Sequence, residues 1–321
     1  MSSQRSVIGV DLGGTQIRAA RLDPGDSALR DRIGLLTLAD EGPDCVFERI
    51  VSAVEQAAAA EGLKKIETIG IGVPGPCDPK AGIVYEMPNI PGWNDVPLQL
   101  MLEERLRVPV RIGNDANLAA LGEHAFGAGQ GIDDLIYITV STGIGGGVMT
   151  GGRLLLGVNG LAAEIGHIVV DPNGPVCNCG GVGHIEALAS GTAIARIARS
   201  RVAAEQPTLL RAMVDGELDR ITARHVNEAA QRGDPLSRAV LREAGHYLGL
   251  AFITFIHIFN PALILLGGGV ANCGEYIMEP IWQTVTEGVM NPAYLRGLRI
   301  ERAALAGDVG LWGAVALASH T

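Results

Sequence analysis

Residues 161–186, LAAEIGHIVVDPNGPVCNCGGVGHIE, hold the densest set of chemically capable side chains in the sequence. Cys177 and Cys179 are separated by a single residue in a glycine-rich loop, with His167 before them and His184 after them. Thiolates and imidazoles gathered in one short loop suit a tetrahedral Zn²⁺. Four protein ligands leave no position open for water, so such a metal would be structural rather than catalytic. The CxC spacing is tighter than the usual CxxC, and the other reading of the pattern is a glycine-rich turn with free thiols. Glu164 and Glu186 flank the cluster, where carboxylates can reach a polar ligand.

Three further segments have the make-up of phosphate turns. In DLGGT, Gly13 and Gly14 allow backbone N–H groups close approach to phosphate oxygens, and Thr15 adds a hydroxyl donor. Asp11, at the end of the preceding strand, suits hydrated Mg²⁺, which takes one or two carboxylates plus phosphates. STGIGGG offers a second turn through Thr142 and Gly143, and LLGGGVA a third at Gly267, Gly268 and Gly269. No GxxxxGK[ST] occurs, which disfavours a Walker-type site. Asn114 and Asp115 follow a short apolar strand and open a helix. Both are favoured helix caps, but a carboxylate placed there can also accept the proton of an attacking hydroxyl in phosphoryl transfer.

These residues need elements to hold them. Strands are expected at Val7–Leu12, Ile17–Leu22, Ile66–Val73, Val110–Gly113 and Leu135–Val140. Helices are expected at Val46–Ala60, Asp115–Phe126, Ile185–Arg201, Ala223–Arg232, Pro235–Phe259, Gly274–Met290 and Asp308–Ser319. Alternation of the two defines an α/β class. Twice a strand runs into a glycine-rich hairpin, which implies two similar halves flanking a cleft. The division is expected as 1–117, with 305–321 returning to it, and 118–304, with the crossing within Leu121–Asp134.

Of the 321 residues 47% are apolar, so a large core can form, and the net charge of −10 argues against a nucleic-acid partner. Five cysteines are too few and too unevenly spaced for a disulfide framework. Cys45, Cys77 and Cys273 read as isolated small apolar residues. No apolar segment precedes the first strand, so no signal peptide is expected and the location is expected to be cytoplasmic. The apolar stretch Tyr247–Leu266 contains His257, Asn260 and Pro261. It reads as a buried helix followed by a buried strand, not a membrane span.

DLGGT, IGIGVPGP, PNIPGW, GNDAN, STGIGGG, EIGH and CNCGGVGHIE, in this order, resemble the ROK (repressor, open reading frame, kinase) family of sugar kinases. The resemblance runs over essentially the whole chain. It is most similar to the bacterial glucokinases of that family and implies the actin-like, ribonuclease-H-like ATPase fold. It further implies transfer of the ATP γ-phosphoryl group to the C6 hydroxyl of a hexose, glucose first, with N-acetylglucosamine, mannose or N-acetylmannosamine as alternatives. Asp115 would be the base and Asp11 would help to position Mg²⁺. Gly13, Gly14, Thr15, Thr142 and Gly143 would cradle phosphate, and Gly267–Gly269 would lie by the adenosine. Asn114, Asp115, Glu164, His167 and Glu186 would bind hexose hydroxyls, with Gly75 and Asn89 lining the pocket. His167, Cys177, Cys179 and His184 would bind Zn²⁺, and a homodimer or homotetramer is implied.

The sequence departs from the family pattern twice. His184 stands where a third cysteine is usual, and Gln16 stands where a lysine is common. The family also includes transcriptional repressors, which carry a winged-helix segment before the first phosphate turn. A first strand at Val7 leaves no room for one, so the kinase reading is preferred over a repressor or a catalytically dead sugar-binding protein.

Overall fold

The computed structural model describes residues 5–87, 90, 92–204 and 207–319. Asn89, assigned to the sugar pocket by resemblance, lies outside the described residues. By packing, the chain divides into a first unit, Met1–Asp133, Gly147–Ala163 and Ala304–Thr321, and a second, Asp134–Gly146 and Glu164–Ala303.

The first unit opens with β1 (Ser6–Leu12), β2 (Gln16–Leu22), β3 (Arg30–Leu36), α1 (Pro43–Ala57) and β4 (Ile66–Val73). The short strands β5 (Cys77–Asp78), β6 (Ile83–Glu86) and β7 (Asn94–Val96) form a small antiparallel sheet. Then come α2 (Leu98–Leu106), β8 (Val110–Asn114) and α3 (Asp115–Phe126). The main sheet has the order β3-β2-β1-β4-β8, antiparallel through β3-β2-β1 and parallel through β1-β4-β8.

Side chains alternate across these strands, as a period of two demands. Ile8, Val10 and Leu12 of β1 join a core with Val46, Ile50 and Val54 of α1. Val7, Ala20 and Leu22 point the other way and pack with Leu311, Val315 and Ala318 of the last helix, α10 (Val309–Ser319). That helix lies so close to the sheet that only glycine fits beneath it: a Cβ on Gly70 would come within 2.0 Å of the Ala314 carbonyl oxygen. Gly70→Ala should therefore cost about 3 kcal/mol, the upper range for overpacking, because the obstacle is backbone and cannot rotate away. Urea unfolding checks this, and a midpoint equal to that of the native protein would contradict the packing argument.

The second sheet has the order β11-β10-β9-β12-β13, formed by β9 (Leu135–Val140), β10 (Ile144–Thr150), β11 (Arg153–Leu154), β12 (Leu263–Gly267) and β13 (Arg299–Arg302). Strands β9, β12 and β13 are parallel. The helices of the second unit are α4 (Ile185–Ala189), α5 (Gly191–Ala203), α6 (Leu210–Met213), α7 (Ala223–Gln231), α8 (Pro235–Phe259) and α9 (Glu275–Gly288).

The single helix expected over Ile185–Arg201 is two. Ser190 breaks it and caps α5, its hydroxyl accepting from the Ala193 N–H at 3.1 Å. Helix α8 has the length and apolarity of a membrane span, the one such helix among the described residues. Its flanks are those of a core helix: Asp234 caps its start, Pro235 sits in the first turn, and Asn260 ends it in the left-handed region at φ 44°. Leu248, Phe252 and Phe255 are buried along it, and the strand that follows, β12, is buried throughout.

Candidate active site

Asp115 stands at the junction of β8 and α3, in the first unit. Asn114 is the cap of α3, and its Oδ1 accepts from the N–H groups of Ala116 and Asn117, both at 3.1 Å. The Asn114 amide donates to the Gly75 carbonyl at 3.1 Å and to Asp115 Oδ1 at 3.3 Å. Ala116 N–H donates to the same Asp115 oxygen at 2.7 Å. Gly75, Asn114 and Asp115 are thus one hydrogen-bonded group. The half-buried carboxylate occupies a helix N-terminus, where the dipole favours negative charge. Burial, with the charges of Asp115 and Asp78 adding, pushes the nearby Cys77 thiol up to about 12, so Cys77 stays protonated there.

The DLGGT turn is a hairpin between β1 and β2. Gly13 N–H donates to Gln16 O at 2.9 Å, and the Thr37 hydroxyl donates to Gly13 O at 2.6 Å. Thr15 is exposed at the tip and Gly14 is half-buried. Asp11 sits at the end of β1 and receives the Arg18 guanidinium, an ion pair at 2.5 Å.

In the second unit the Ser141–Gly143 turn joins β9 to β10. The break at Ser190 brings the N-terminus of α5 to this turn: Gly191 N–H donates to Ser141 O at 2.7 Å and the Thr192 hydroxyl to Thr142 O at 2.8 Å. A helix N-terminus beside a glycine turn favours a bound anion. The turn after β12 lies close by. Gly268 has φ 81°, and a Cβ there would fall 2.3 Å from Val140 O. Gly267 passes tightly over Tyr137, where a Cβ would meet the phenol oxygen at 2.3 Å. Ser141, Thr142, Thr192 and Gly269 line one cavity of about 820 Å³, whose far wall is formed by Thr222, Asn227 and Gln231 on and before α7. Nothing in the residue pattern pointed to that wall. The Ser-Gly-Thr at 190–192 was a findable signal, a cap sequence inside an expected helix.

The cysteine loop is a folded knot within the second unit. Cys177 N–H donates to Gly181 O at 2.7 Å and Gly183 N–H to Pro175 O at 2.9 Å. Gly183, with φ 70°, is so tightly placed that a Cβ would overlap the Asp171 carbonyl oxygen at 1.6 Å. His167, Cys177, Cys179 and His184 bring one donor atom each into a group in which all lie within 4.8 Å of one another. Cys179 Sγ and His184 Nδ1 are 3.1 Å apart, and Cys177 Sγ and His167 Nδ1 3.9 Å. Bonds of about 2.0–2.3 Å around Zn²⁺ place ligand atoms roughly 3.3–3.8 Å apart, so two soft sulfurs and two imidazoles in this arrangement fit the ion with shifts of a few tenths of an ångström to about 1 Å, the Cys179–His184 pair opening and the wider pairs closing. Burial pushes the Cys177 thiol up, opposed by the backbone amide of Cys179.

Glu186 links this knot to the turn between β9 and β10. Its Oε2 accepts from Ile144 N–H at 2.9 Å, and the Cys177 thiol donates to its Oε1 at 3.4 Å. Glu164 is exposed and precedes a 3-10 turn, Ile165–His167, in which His167 N–H donates to the Glu164 carbonyl at 3.1 Å.

Each of the two α/β units carries a strand, a glycine turn and a returning strand, as in the actin-like, ribonuclease-H-like fold. A model of the ROK family matches residues 7–321, and the chain belongs to that family. It is 37% identical to a glucokinase of Thermotoga maritima, covering 97% of this chain and 96% of that one. The structure of a ROK family glucokinase from Streptomyces griseus, in complex with glucose and AMPPNP, matches with a TM-score of 0.81 at 37% identity, covering 98% of this chain and 99% of that one. The family's other branch is also similar: the DNA-binding transcriptional repressor Mlc of Escherichia coli is 30% identical over 83% of this chain and 64% of its own.

Proposed function

We propose that this protein is an ATP-dependent hexose kinase that converts glucose to glucose 6-phosphate. The observation that carries the reading is the meeting of the Thr142 and Gly269 turns in one cavity of about 820 Å³, in a chain 36–38% identical to glucokinases over nearly its full length. That cavity takes the nucleoside, with Gly267–Gly269 beside it and Thr142 and Gly143 at the phosphates. Gly13, Gly14 and Thr15 contribute the second set of phosphate donors. Asp115 accepts the proton of the C6 hydroxyl, and Asn114, Glu164, His167 and Glu186 orient the other hydroxyls. Gly75 belongs with them through its bond to Asn114, and Asn89 is assigned with them.

Asp11 helps to hold Mg²⁺, which when bound neutralises charge on the β- and γ-phosphates. His167, Cys177, Cys179 and His184 would hold a Zn²⁺, which would fix the loop that carries His167 and Glu186. All five cysteines are free thiols, which suits a reducing compartment such as the cytoplasm. We take the active species to be a homodimer or homotetramer, which sedimentation will show.

The test is ADP release with ATP and a panel of glucose, mannose, N-acetylglucosamine and N-acetylmannosamine. Glucose should give the largest kcat/KM. Preference for N-acetylmannosamine, the substrate in the name of a Shigella boydii kinase 32% identical to this chain, would move the assignment within the family. Hexose binding without ADP release from any sugar would overturn the kinase reading in favour of a sugar-binding regulator.

A further inference from the structure

We infer that Arg18 is a positioning residue of the phosphoryl transfer, acting by fixing the Asp11 carboxylate, an inference that rests on the role proposed above for Asp11. The two residues are cross-strand partners in β1 and β2. Arg18 Nε and Nη2 both donate to Asp11 Oδ2, at 3.0 and 2.5 Å. Nη1 turns away and donates to the Gly307 carbonyl at 2.6 Å, with the Asp308 carboxylate 3.9 Å from it. The guanidinium is therefore engaged at all three nitrogens, and its plane has one orientation.

Asp11 is also packed against α10. A Cβ on Gly310 would come 2.7 Å from Asp11 Cγ and 2.8 Å from each of its oxygens. The first turn of α10 therefore lies against the carboxylate, and a side chain at residue 310 would displace it.

The segment that receives Nη1 is itself anchored. Glu123, fully buried at 0% exposure, accepts from Leu305 N–H at 2.8 Å and from Ala128 N–H at 2.9 Å. A buried carboxylate bonded to a backbone amide at Leu305 holds residues 305–308 where Gly307 can meet Arg18. The contrast with Arg21, the other arginine of β2, is informative. Arg21 is buried and pairs with Asp23 and Asp31 at 2.7 and 2.9 Å, away from any residue assigned to the reaction.

Gln16, the first residue of β2, is uncharged. Alternation along β2 places Gln16 and Arg18 on the same face, so the cation nearest the DLGGT turn on that strand is committed to a carboxylate. Lysine cannot replace it fully, because a point charge lacks the planar fork.

The experiment measures ADP release with Mg²⁺, ATP and glucose each varied in turn, for Arg18→Gln, Arg18→Lys, Gly310→Ala, Asp11→Asn and the Asp11→Asn/Arg18→Gln pair, with a melting curve for each. Loss of a residue that orients a metal-holding carboxylate costs about 10- to 100-fold in metal affinity or activity. Arg18→Gln should show that loss in kcat and in the Mg²⁺ concentration for half activity, with glucose KM changed less than about twofold. Arg18→Lys should fall between, and Gly310→Ala should move the same two quantities. If Arg18 acts through Asp11, the double variant is no slower than Asp11→Asn alone. Native Mg²⁺ dependence in Arg18→Gln, or losses that multiply in the pair, overturns the inference. Should Arg18→Gln not fold, native Mg²⁺ dependence in both Arg18→Lys and Gly310→Ala overturns it equally. Full activity in Asp11→Asn instead defeats the assignment of Asp11, a result separable from any failure of Arg18.

Discussion

Asp115→Asn is expected to keep hexose binding and to lose roughly 10²- to 10⁴-fold in turnover, the range for removal of a general base. The substitution is close to isosteric. The amide oxygen can still accept from Ala116 N–H, the contact that Asp115 Oδ1 makes at 2.7 Å. Asn114 caps α3 through its own side chain, so the helix start does not depend on residue 115. What is lost is the basic carboxylate proposed to take the C6 proton. Calorimetric titration with glucose should give an affinity within a few-fold of the native value while ADP release nearly stops. Turnover near the native rate would remove Asp115 from the mechanism.

The second large effect concerns the metal. His184→Ala leaves three donors of the four, and the purified protein should hold little or no zinc by elemental analysis. His184→Cys should keep it, since a third thiolate suits the ion as well as imidazole does. Structural zinc contributes several kcal/mol to folding, so amide exchange across 170–183 should quicken when the metal is lost. Glucose affinity should fall before ATP affinity, because His167 and Glu186, proposed to bind the sugar, are attached to this loop, while the cavity proposed for the nucleoside is lined mainly from α5, α7 and the turn after β12. Native protein that is fully active with no zinc would refute the site and leave the loop to its own hydrogen bonds.

The sequence disclosed most where backbone geometry and chemistry coincide. A strand, two or three glycines and a second strand can do little except turn, so both hairpins were legible. Asn-Asp at the end of an apolar run was legible as a strand-to-helix junction for the same reason. Two histidines and two cysteines within residues 167–184 marked a candidate cluster, and their four donor atoms do lie within 4.8 Å of one another.

Features that depend on distant partners were not legible. One wall of the cavity of about 820 Å³ comes from Thr222 and α7, which meet the turn at Thr142 only through packing within the second unit. Arg18 was one arginine among many until its partner across the hairpin and the carbonyl at Gly307 were seen. The return of Gly147–Ala163 to the first unit has no compositional mark. The helix break at Ser190 was overridden by a continuous apolar pattern, although a serine cap competes well with helix continuation.

The packing of α10 on the first sheet bears on how the protein is made. Val7, Ala20 and Leu22 have Leu311, Val315 and Ala318 as their apolar partners. Roughly 290 residues separate Leu22 from Leu311, and at about 5–20 residues per second a ribosome needs on the order of 15–60 s to supply them. The face of the sheet that meets α1 can close early, since Val46 and Ile50 follow within a few dozen residues. The other face stays open to other chains until the last helix has emerged. A chain stopped before Val309 would carry every residue assigned to the reaction and still lack the cover for its first strands.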